Sequence, residues 1–245
     1  MKMLPLRSLV FSTWLIIVCA AILHDDLRAQ SAAGPATDMD PHMSMTELRP
    51  LRPGDQAKAD AIVAAAKKAA ERYRDYRTAE ADGYTIFMPD QHQNVYHFIR
   101  ESSNLSDKKR FDPDQPPALL YTKIDGPSPG YKLIGVMYMA HYGTTDEELN
   151  ARIPLSIAQW HVHLNMCVPS QPEERNWLMG DPTFGLTGSI TTADACTGAG
   201  GYFKPHLSGW MVHVYPFETV PAKVWGVALV NDQGMEHDSM PGMKM

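Results

Sequence analysis

Residues 158–168 have the sequence Ala-Gln-Trp-His-Val-His-Leu-Asn-Met-Cys-Val, in which apolar and polar side chains alternate. Successive residues of a β-strand point to opposite faces of a sheet, so this pattern predicts a strand. One predicted face is apolar and consists of Trp160, Val162, Leu164, Met166 and Val168. The other face consists of His161, His163, Asn165 and Cys167. We therefore expect one face to pack on the core and the other to present two neighbouring histidines.

Other segments with the same alternation predict further strands, which are residues 84–88, 94–100, 118–124, 131–142, 209–215 and a last one near 224–230. Within them, His97 shares a face with Glu101, His213 shares one with Met211 and Tyr215, and His141 shares one with Met137 and Met139. Imidazole nitrogen is a ligand for zinc, copper and iron. If these strands are neighbours with aligned faces, His97, His161, His163 and His213 converge as metal ligands.

Polar residues beside these histidines are candidates for supporting roles. Glu101 and Asn165 would accept or donate hydrogen bonds that fix the ring orientation of a metal-bound imidazole. If the protein is an enzyme, Glu101 or Tyr215 would assist catalysis, with Glu101 as the general base on a metal-bound water. We expect His92 and His141 to be structural histidines and His206 to lie in a surface loop.

The chain also predicts a fold class, α+β. Asp55 follows Pro53 and Gly54 as a helix N-cap, and an apolar stripe then continues at three- and four-residue steps until Gly83. A short helix is expected over residues 144–152 with Thr145 as its cap, and residues 169–202 are expected to be mostly loop. The expected architecture is one long N-terminal helix packed on a mainly antiparallel sheet with long loops.

The N-terminal residues of the chain indicate an exported protein. Lys2 and Arg7 precede an apolar run over residues 9–23, and small residues follow, so we predict a signal peptide over residues 1–30, cleaved between Ala29 and Ala33. The apolar run is too short for a comfortable membrane span, and a lipid anchor at Cys19 is the alternative. Residues 31–54 are expected to be a mobile leader, residues 55–231 a single domain, and residues 232–245 a disordered tail.

Composition narrows the function classes. The chain of 245 residues has a formal net charge of −6 and contains 3 cysteines. Without residues 1–29, which hold three basic and two acidic groups, the charge would be about −7. An acidic chain with no block of Lys and Arg does not suit nucleic acid. Of the cysteines, Cys167 and Cys196 remain after cleavage and predict a disulfide, with Cys167 as a metal ligand the alternative.

Methionine and histidine are frequent near both ends of the expected mature chain. Thioether together with imidazole suits copper, while zinc and magnesium make little use of thioether. The candidates for low-affinity accessory metal binding are His42, Met43, Met45, Met235, His237, Met240 and Met243. Chance composition in disordered tails is the alternative.

Three segments resemble a family of uncharacterised secreted bacterial proteins. They are Tyr96-His97-Phe98, the Asp-Pro-x-x-Pro-x-Ala-Leu-Leu-Tyr motif at residues 112–121, and Leu-x-Gly-Val-x-Tyr at residues 133–138. The resemblance extends over roughly residues 83–230 and includes the later strands that contain tryptophan and histidine. It implies that these histidines belong together and implies no reaction. This chain departs from the family pattern just after His97, where Phe98-Ile99-Arg100 stands in place of an expected Asn.

The sequence thus predicts a secreted or periplasmic metal-binding protein, with copper slightly favoured over zinc. A metal-dependent hydrolytic or oxidative enzyme with an open coordination position is the second hypothesis, and a metal-free binding module with structural histidines is the third. Besides the metal ion, a small molecule is the other candidate ligand. No Gly-x-Ser-x-Gly, phosphate-binding loop or His-Glu-x-x-His motif is present. We expect no membrane span in the mature chain.

Overall fold

In the part of the chain that the structure describes, every pair of neighbouring strands is antiparallel. The computed structural model describes residues 40–100, 110–172 and 175–226, all within one compact unit that begins at Asp38. The strands in this part of the chain are β1 Met43–Met45, β2 Thr85–Ile86, β3 Tyr96–Ile99, β4 Ala118–Ile124, β5 Gly130–Ala140, β6 His161–Pro169, β7 Gly201–His206 and β8 Trp210–Val214. The sheet order is β1-β6-β8-β5-β4-β3-β2, and β7 pairs with β6. The predicted α+β class with a mainly antiparallel sheet is confirmed.

Four α-helices lie in the described ranges, and they are α1 Asp55–Ala70, α2 Tyr76–Ala81, α3 Asp146–Arg152 and α4 Ala193–Gly198. The continuous helix expected up to Gly83 is interrupted by a 3-10 turn at Glu71–Tyr73. Asp75 then caps α2, because its side chain accepts a hydrogen bond from the Arg77 N–H and starts a new helix. The N-cap of α1 is Gly54 rather than Asp55. No helix among the described residues is long and apolar enough to cross a membrane.

The main core lies between α1, α2 and one face of the sheet. Ile62, Ala66 and Ala70 of α1 are buried against aromatic and aliphatic residues of β3, β4, β5 and β8. These include Phe98, Leu119, Tyr121, Val136, Tyr138, Val212 and Val214. Trp160, just before β6, joins the same cluster and is fully buried. This is the apolar side of the strand pattern, so the histidine side faces the other way.

A second, smaller cluster lies on the opposite face of the sheet. It consists of Val95, Ala118, Leu120, Met137, Met139, Met211 and Tyr215. The pairing of β4 with β5 shifts between Leu120 and Tyr121, so that Ile134 is the extra residue of a β-bulge. A bulge bends and twists a sheet locally.

The segment before α1 is ordered from residue 40 onward, so the expected mobile leader over residues 31–54 is wrong in its second half. Met43–Met45 pairs with β6 as an edge strand, and His42 is buried. Composition predicts mobility here, but main-chain hydrogen bonds to β6 hold the segment. Residues 1–39 and 227–245, which contain the predicted signal peptide and tail, lie outside the described residues.

The region expected to be mostly loop, residues 169–202, contains α4 and the first residues of β7. The predicted disulfide is confirmed, since Cys167 of β6 and Cys196 of α4 are bonded with their Cα atoms 5.5 Å apart. Asn165 has a φ of 53°, and the four residues that follow it, Met166 to Pro169, are all buried. The alternation of β6 therefore ends near Asn165, and Cys167 joins a separate apolar cluster with Trp177 and Phe184.

Candidate metal centre

Three strands carry the candidate histidines to one face of the sheet. His161 and His163 lie on β6, His213 on β8 and His97 on β3. The register pairs His161 with Met211, His213 with Met137, and His97 with Leu120. Directly paired residues of antiparallel strands point to the same face. The four histidines therefore share the face of the second apolar cluster.

The rings of these histidines meet around His213. The Nε2 atoms of His97 and His213 are 3.4 Å apart. The ring centroid of His161 lies 4.9 Å from that of His213 and 5.5 Å from that of His163. The structure thus brings the four predicted ligands into one chain of ring contacts, in the order His97, His213, His161 and His163.

The contact between His97 and His213 crosses two intervening strands, β4 and β5. In a flat sheet with strands about 4.8 Å apart, β3 and β8 would be separated by about 14 Å. The two imidazoles nevertheless meet, and small residues lie on the two strands between them. Ala118 of β4 belongs to this face, and Gly135 of β5 has no side chain. A Cβ atom at Gly135 would lie only 2.9 Å from Cδ1 of Tyr215.

Hydrogen bonding distinguishes the two most buried histidines of the candidate centre, His161 and His213. The Tyr215 hydroxyl lies 3.3 Å from Nδ1 of His213, which leaves Nε2 of His213 facing His97. His161 is 1% exposed, yet neither of its ring nitrogens has a hydrogen-bond partner. A buried polar atom without a partner costs about 1–3 kcal/mol, so such atoms call for a functional explanation.

Burial holds the imidazoles in their neutral, metal-binding form. It lowers the pKa of His97 to about 4, with further lowering by His163. The pKa values of His161 and His213 fall well below the usual range for the same reason, and the neighbouring histidines add to the effect. Burial also lowers the pKa of His163, although the negative charge of Asp40 and a main-chain hydrogen bond to His42 act in the opposite direction. A neutral imidazole has a free lone pair at neutral pH, as a metal ligand requires.

The spacing of the closest pair fits a shared ion. Two metal–nitrogen bonds of about 2.0–2.1 Å at a tetrahedral angle place the nitrogens about 3.3 Å apart. The His97 and His213 Nε2 atoms are separated by 3.4 Å. Within the described ranges, no group of three or more His, Cys, Asp or Glu side chains already has the arrangement of a metal site. A third nitrogen from His161 would have to enter by rotation of its ring, a change that is common on binding.

Of the three candidate supporting residues, Tyr215 lies at the candidate centre. The Asn165 amide donates a hydrogen bond to the Pro41 carbonyl, so it fixes the segment before β1 and does not orient an imidazole. Glu101 falls outside the described residues. Tyr215 contacts His213 through its hydroxyl. This contact gives Tyr215 an orienting role at the candidate centre.

The accessory residues near the N-terminus have different surroundings from those expected. Nε2 of His42 lies 2.7 Å from the Gly188 carbonyl, so this ring is committed to a structural hydrogen bond. Met43 pairs with His163 and Met45 with His161, which places both methionines beside the candidate ligands. Met235, His237, Met240 and Met243 lie outside the described residues.

The other histidines do not join the cluster. His141 lies just after β5 and its Nδ1 accepts a hydrogen bond from the Gly143 N–H. His206 stacks on Tyr142 with ring centroids 4.2 Å apart. Both are exposed, as is His92.

The sequence pattern did not identify Gln91, whose side chain connects the segment before β3 with the loop after β6. Its Oε1 accepts hydrogen bonds from the main chain of Trp177 and Leu178, and its Nε2 donates to the Pro172 and Arg175 carbonyls. These bonds join the segment that leads into β3 to the loop that follows β6. His97 lies on the first of these strands and His161 on the second. A lone Gln in a polar stretch gives no local signal of such a role, since all four partners are more than 80 residues away.

Comparison with known proteins found no matching family model, curated protein or solved structure. The resemblance to the secreted bacterial family described above therefore stays a prediction.

Proposed function

We propose that this protein binds a transition metal ion, with copper favoured over zinc, on His97, His161 and His213, and with His163 as the adjoining ligand. The observation that carries the proposal is the pair of unpartnered ring nitrogens on buried His161 next to the 3.4 Å approach of His97 to His213. An ion between these rings would give one of the two His161 ring nitrogens a partner that the protein does not supply.

We further propose that the protein holds the ion rather than using it in catalysis, and that it is exported. His161 is 1% and His213 is 5% exposed, and a catalytic metal needs a coordination position that substrate can reach. The Cys167–Cys196 disulfide fits a protein of an oxidising compartment.

Metal content measures the proposed function directly. Protein expressed from the full chain without an affinity tag would be incubated with Cu(I) under anaerobic conditions, with Cu(II) or with Zn(II), then desalted and measured for bound metal by mass spectrometry. We expect about one equivalent of copper in the wild type and strong loss in His161→Ala/His163→Ala and in His213→Ala. The exposed-histidine variants His92→Ala and His141→Ala are matched controls and should retain the metal. Equal metal content in the wild type and in the site variants would contradict the proposal.

A further inference from the structure

Methionines line the same face of the sheet as the candidate histidines. β6 lies between β1 and β8, so His161 is paired with Met45 on one side and with Met211 on the other. His213 is paired with Met137, and His163 with Met43. Side chains of directly paired residues have their Cβ atoms about 4.5–5.5 Å apart. A methionine side chain is long enough to bring its sulfur to the imidazole of a paired histidine. In the structure the Met211 sulfur accepts a hydrogen bond from the Ser208 hydroxyl at 3.5 Å, so a rotation of the Met211 side chain would exchange this contact for an ion.

Packing alone would explain some of these methionines, because methionine fills irregular gaps in cores. Met137, Met139 and Met211 belong to the small buried cluster of this face, together with aliphatic residues and Tyr215. Met43 and Met45, however, are partly exposed and lie on a three-residue edge strand. An edge strand borders little core, so there are few gaps for these side chains to fill. Their positions opposite His163 and His161 are better explained by the histidines than by the core.

The charge of the surroundings discriminates between possible ions. Among the described residues, the titratable groups that act on His161 and His213 are other histidines, and Asp40 acts on His163. Imidazole and thioether are neutral ligands, so a buried ion would keep its full charge. The cost of burying an ion rises with the square of its charge, so a dication costs about four times as much as a monocation of the same size.

From this geometry we infer that the centre selects copper as Cu(I), with the thioethers of Met45 and Met211 joining the imidazole of His161 in the ligand set and Met137 available beside His213. The inference rests on the proposed metal-binding function and specifies its ion and its sulfur ligands. Thioether sulfur is a soft ligand that suits Cu(I) and contributes little to zinc binding. Cu(I) is a monocation and accepts low coordination numbers, which suits a buried site of neutral donors.

Anaerobic competition titrations separate the two ions. The full-chain protein would be titrated with Cu(I) against the chromophoric Cu(I) chelator bicinchoninate, and with Zn(II) against a chromophoric zinc chelator, with Ag(I) as a redox-inert monocation. We expect Cu(I) and Ag(I) to bind at least about a hundredfold more tightly than Zn(II), a difference of about 2.7 kcal/mol. Zn(II) binding as tight as Cu(I) binding would overturn the inference and leave the proposed function standing.

The methionine ligands are tested by the double variant Met45→Leu/Met211→Leu. Leucine conserves the volume, so the fold should tolerate the change. We expect Cu(I) affinity to fall by about tenfold or more, Zn(II) affinity to stay within about threefold, and the copper–sulfur signal in X-ray absorption to disappear. Met166→Leu is the matched control, because Met166 is buried in a different cluster on β6, and it should bind Cu(I) like the wild type.

The outcomes distinguish this inference from the function on which it rests. Loss of both ions in His161→Ala/His163→Ala together with unchanged Cu(I) affinity in Met45→Leu/Met211→Leu would support the histidine site and overturn the thioether ligands. Failure of the wild type to bind Cu(I), Cu(II) or Zn(II) would overturn both.

Discussion

The buried ring nitrogens of His161 lower the stability of the metal-free fold, because they have no hydrogen-bond partners. The ring is 1% exposed and both nitrogens lack hydrogen-bond partners. Neighbouring Val162 is equally buried but has no polar side-chain atom, and buried Trp160 leaves a single atom, its indole nitrogen, without a partner. A residue that destabilises the metal-free fold while contacting two other imidazoles is typical of a functional site.

Replacement of His161 by leucine should therefore stabilise the metal-free protein. We expect the free energy of unfolding of His161→Leu to rise by about 1–3 kcal/mol, because two unpaired polar atoms are removed. Urea denaturation in the presence of chelator measures it. His213→Leu is the contrasting variant and should lose stability, since it removes the contacts of His213 with Tyr215 and His97. A stability loss in His161→Leu as large as in His213→Leu would contradict the argument.

The stability of the metal-free protein should also fall on acidification. In the unfolded chain these histidines titrate near pH 6.5, whereas burial lowers the pKa of His97 to about 4 and the pKa values of His161 and His213 well below 6.5. As the pH falls through 6.5, the unfolded chain takes up protons that the native protein does not. Each such histidine then reduces the free energy of unfolding by up to about 1.4 kcal/mol per pH unit.

Denaturation curves in chelator at pH 7.5, 6.0 and 5.0 measure this dependence. Stability should be greatest at pH 7.5 and decrease steadily to pH 5.0, and His161→Leu should show a shallower decrease. The exposed-histidine variant His141→Gln should follow the wild type. A stability that is constant or rising between pH 7.5 and 5.0 would show that the cluster is not buried in its neutral form.

At the scale of the elements, the candidate metal centre depends on Gly135 of β5, a strand that lies between β3 and β8 in the sheet. Gly135 follows the extra residue of the bulge and pairs with Leu120. A Cβ at this position would lie 2.4 Å from the Val214 carbonyl oxygen and 2.9 Å from Cδ1 of Tyr215. Both neighbours belong to the chain segment that holds His213. The absence of a side chain at Gly135 therefore allows this segment to lie close to β5.

Gly135→Ala should thus damage both the sheet and the site. We expect a loss of about 1–3 kcal/mol in the free energy of unfolding, the usual cost of overpacking, and weaker metal binding, because β8 must shift. Gly198→Ala is the control, since a Cβ there has no atom within 4 Å, and its stability should change by no more than about 1 kcal/mol. Urea denaturation and metal titration of both variants provide the test, and equal behaviour of the two would contradict it.

At the scale of the whole molecule, the disulfide and the histidine cluster are separate parts of the fold. Cys167 and Cys196 enclose a segment with a sequence separation of 29 residues and belong to the cluster around Trp177 and Phe184. The histidines are held by the pairing of β3, β6 and β8 within the sheet. The bond should therefore stabilise the fold without contributing a ligand.

Removal of the disulfide tests this separation. We expect Cys167→Ala/Cys196→Ala to lose about 2–4 kcal/mol in the free energy of unfolding, and to keep its metal affinity within about threefold at a temperature where it is folded. Treatment of the wild type with a reductant should give the same loss of stability. A large loss of metal affinity in the folded double variant would instead identify Cys167 as a ligand.

Local patterns in the sequence predicted several parts of the fold closely. The strand predicted over residues 118–124 has the same bounds in the structure. The turn-forming residues 125–130 mark its end in the sequence. Thr145 caps α3 with a reciprocal bond to Glu148, and Cys167 is bonded to Cys196. The missed elements, β1, α4 and β7, have weak local patterns, and β1 and β7 are held by pairing with the distant strand β6.

By itself, the sequence determined which residues share a face, because the alternation of a strand is a local property that side-chain chemistry reveals. His97, His161, His163 and His213 could therefore be grouped from residue types and spacing. Only the tertiary structure decided that His97 reaches His213 across two strands, that Met43 and Met45 lie opposite the histidines, and that Asn165 ends the alternation before Cys167. Register, the bulge beside Gly135 and strand order depend on contacts between residues far apart in the chain, and no local pattern encodes them.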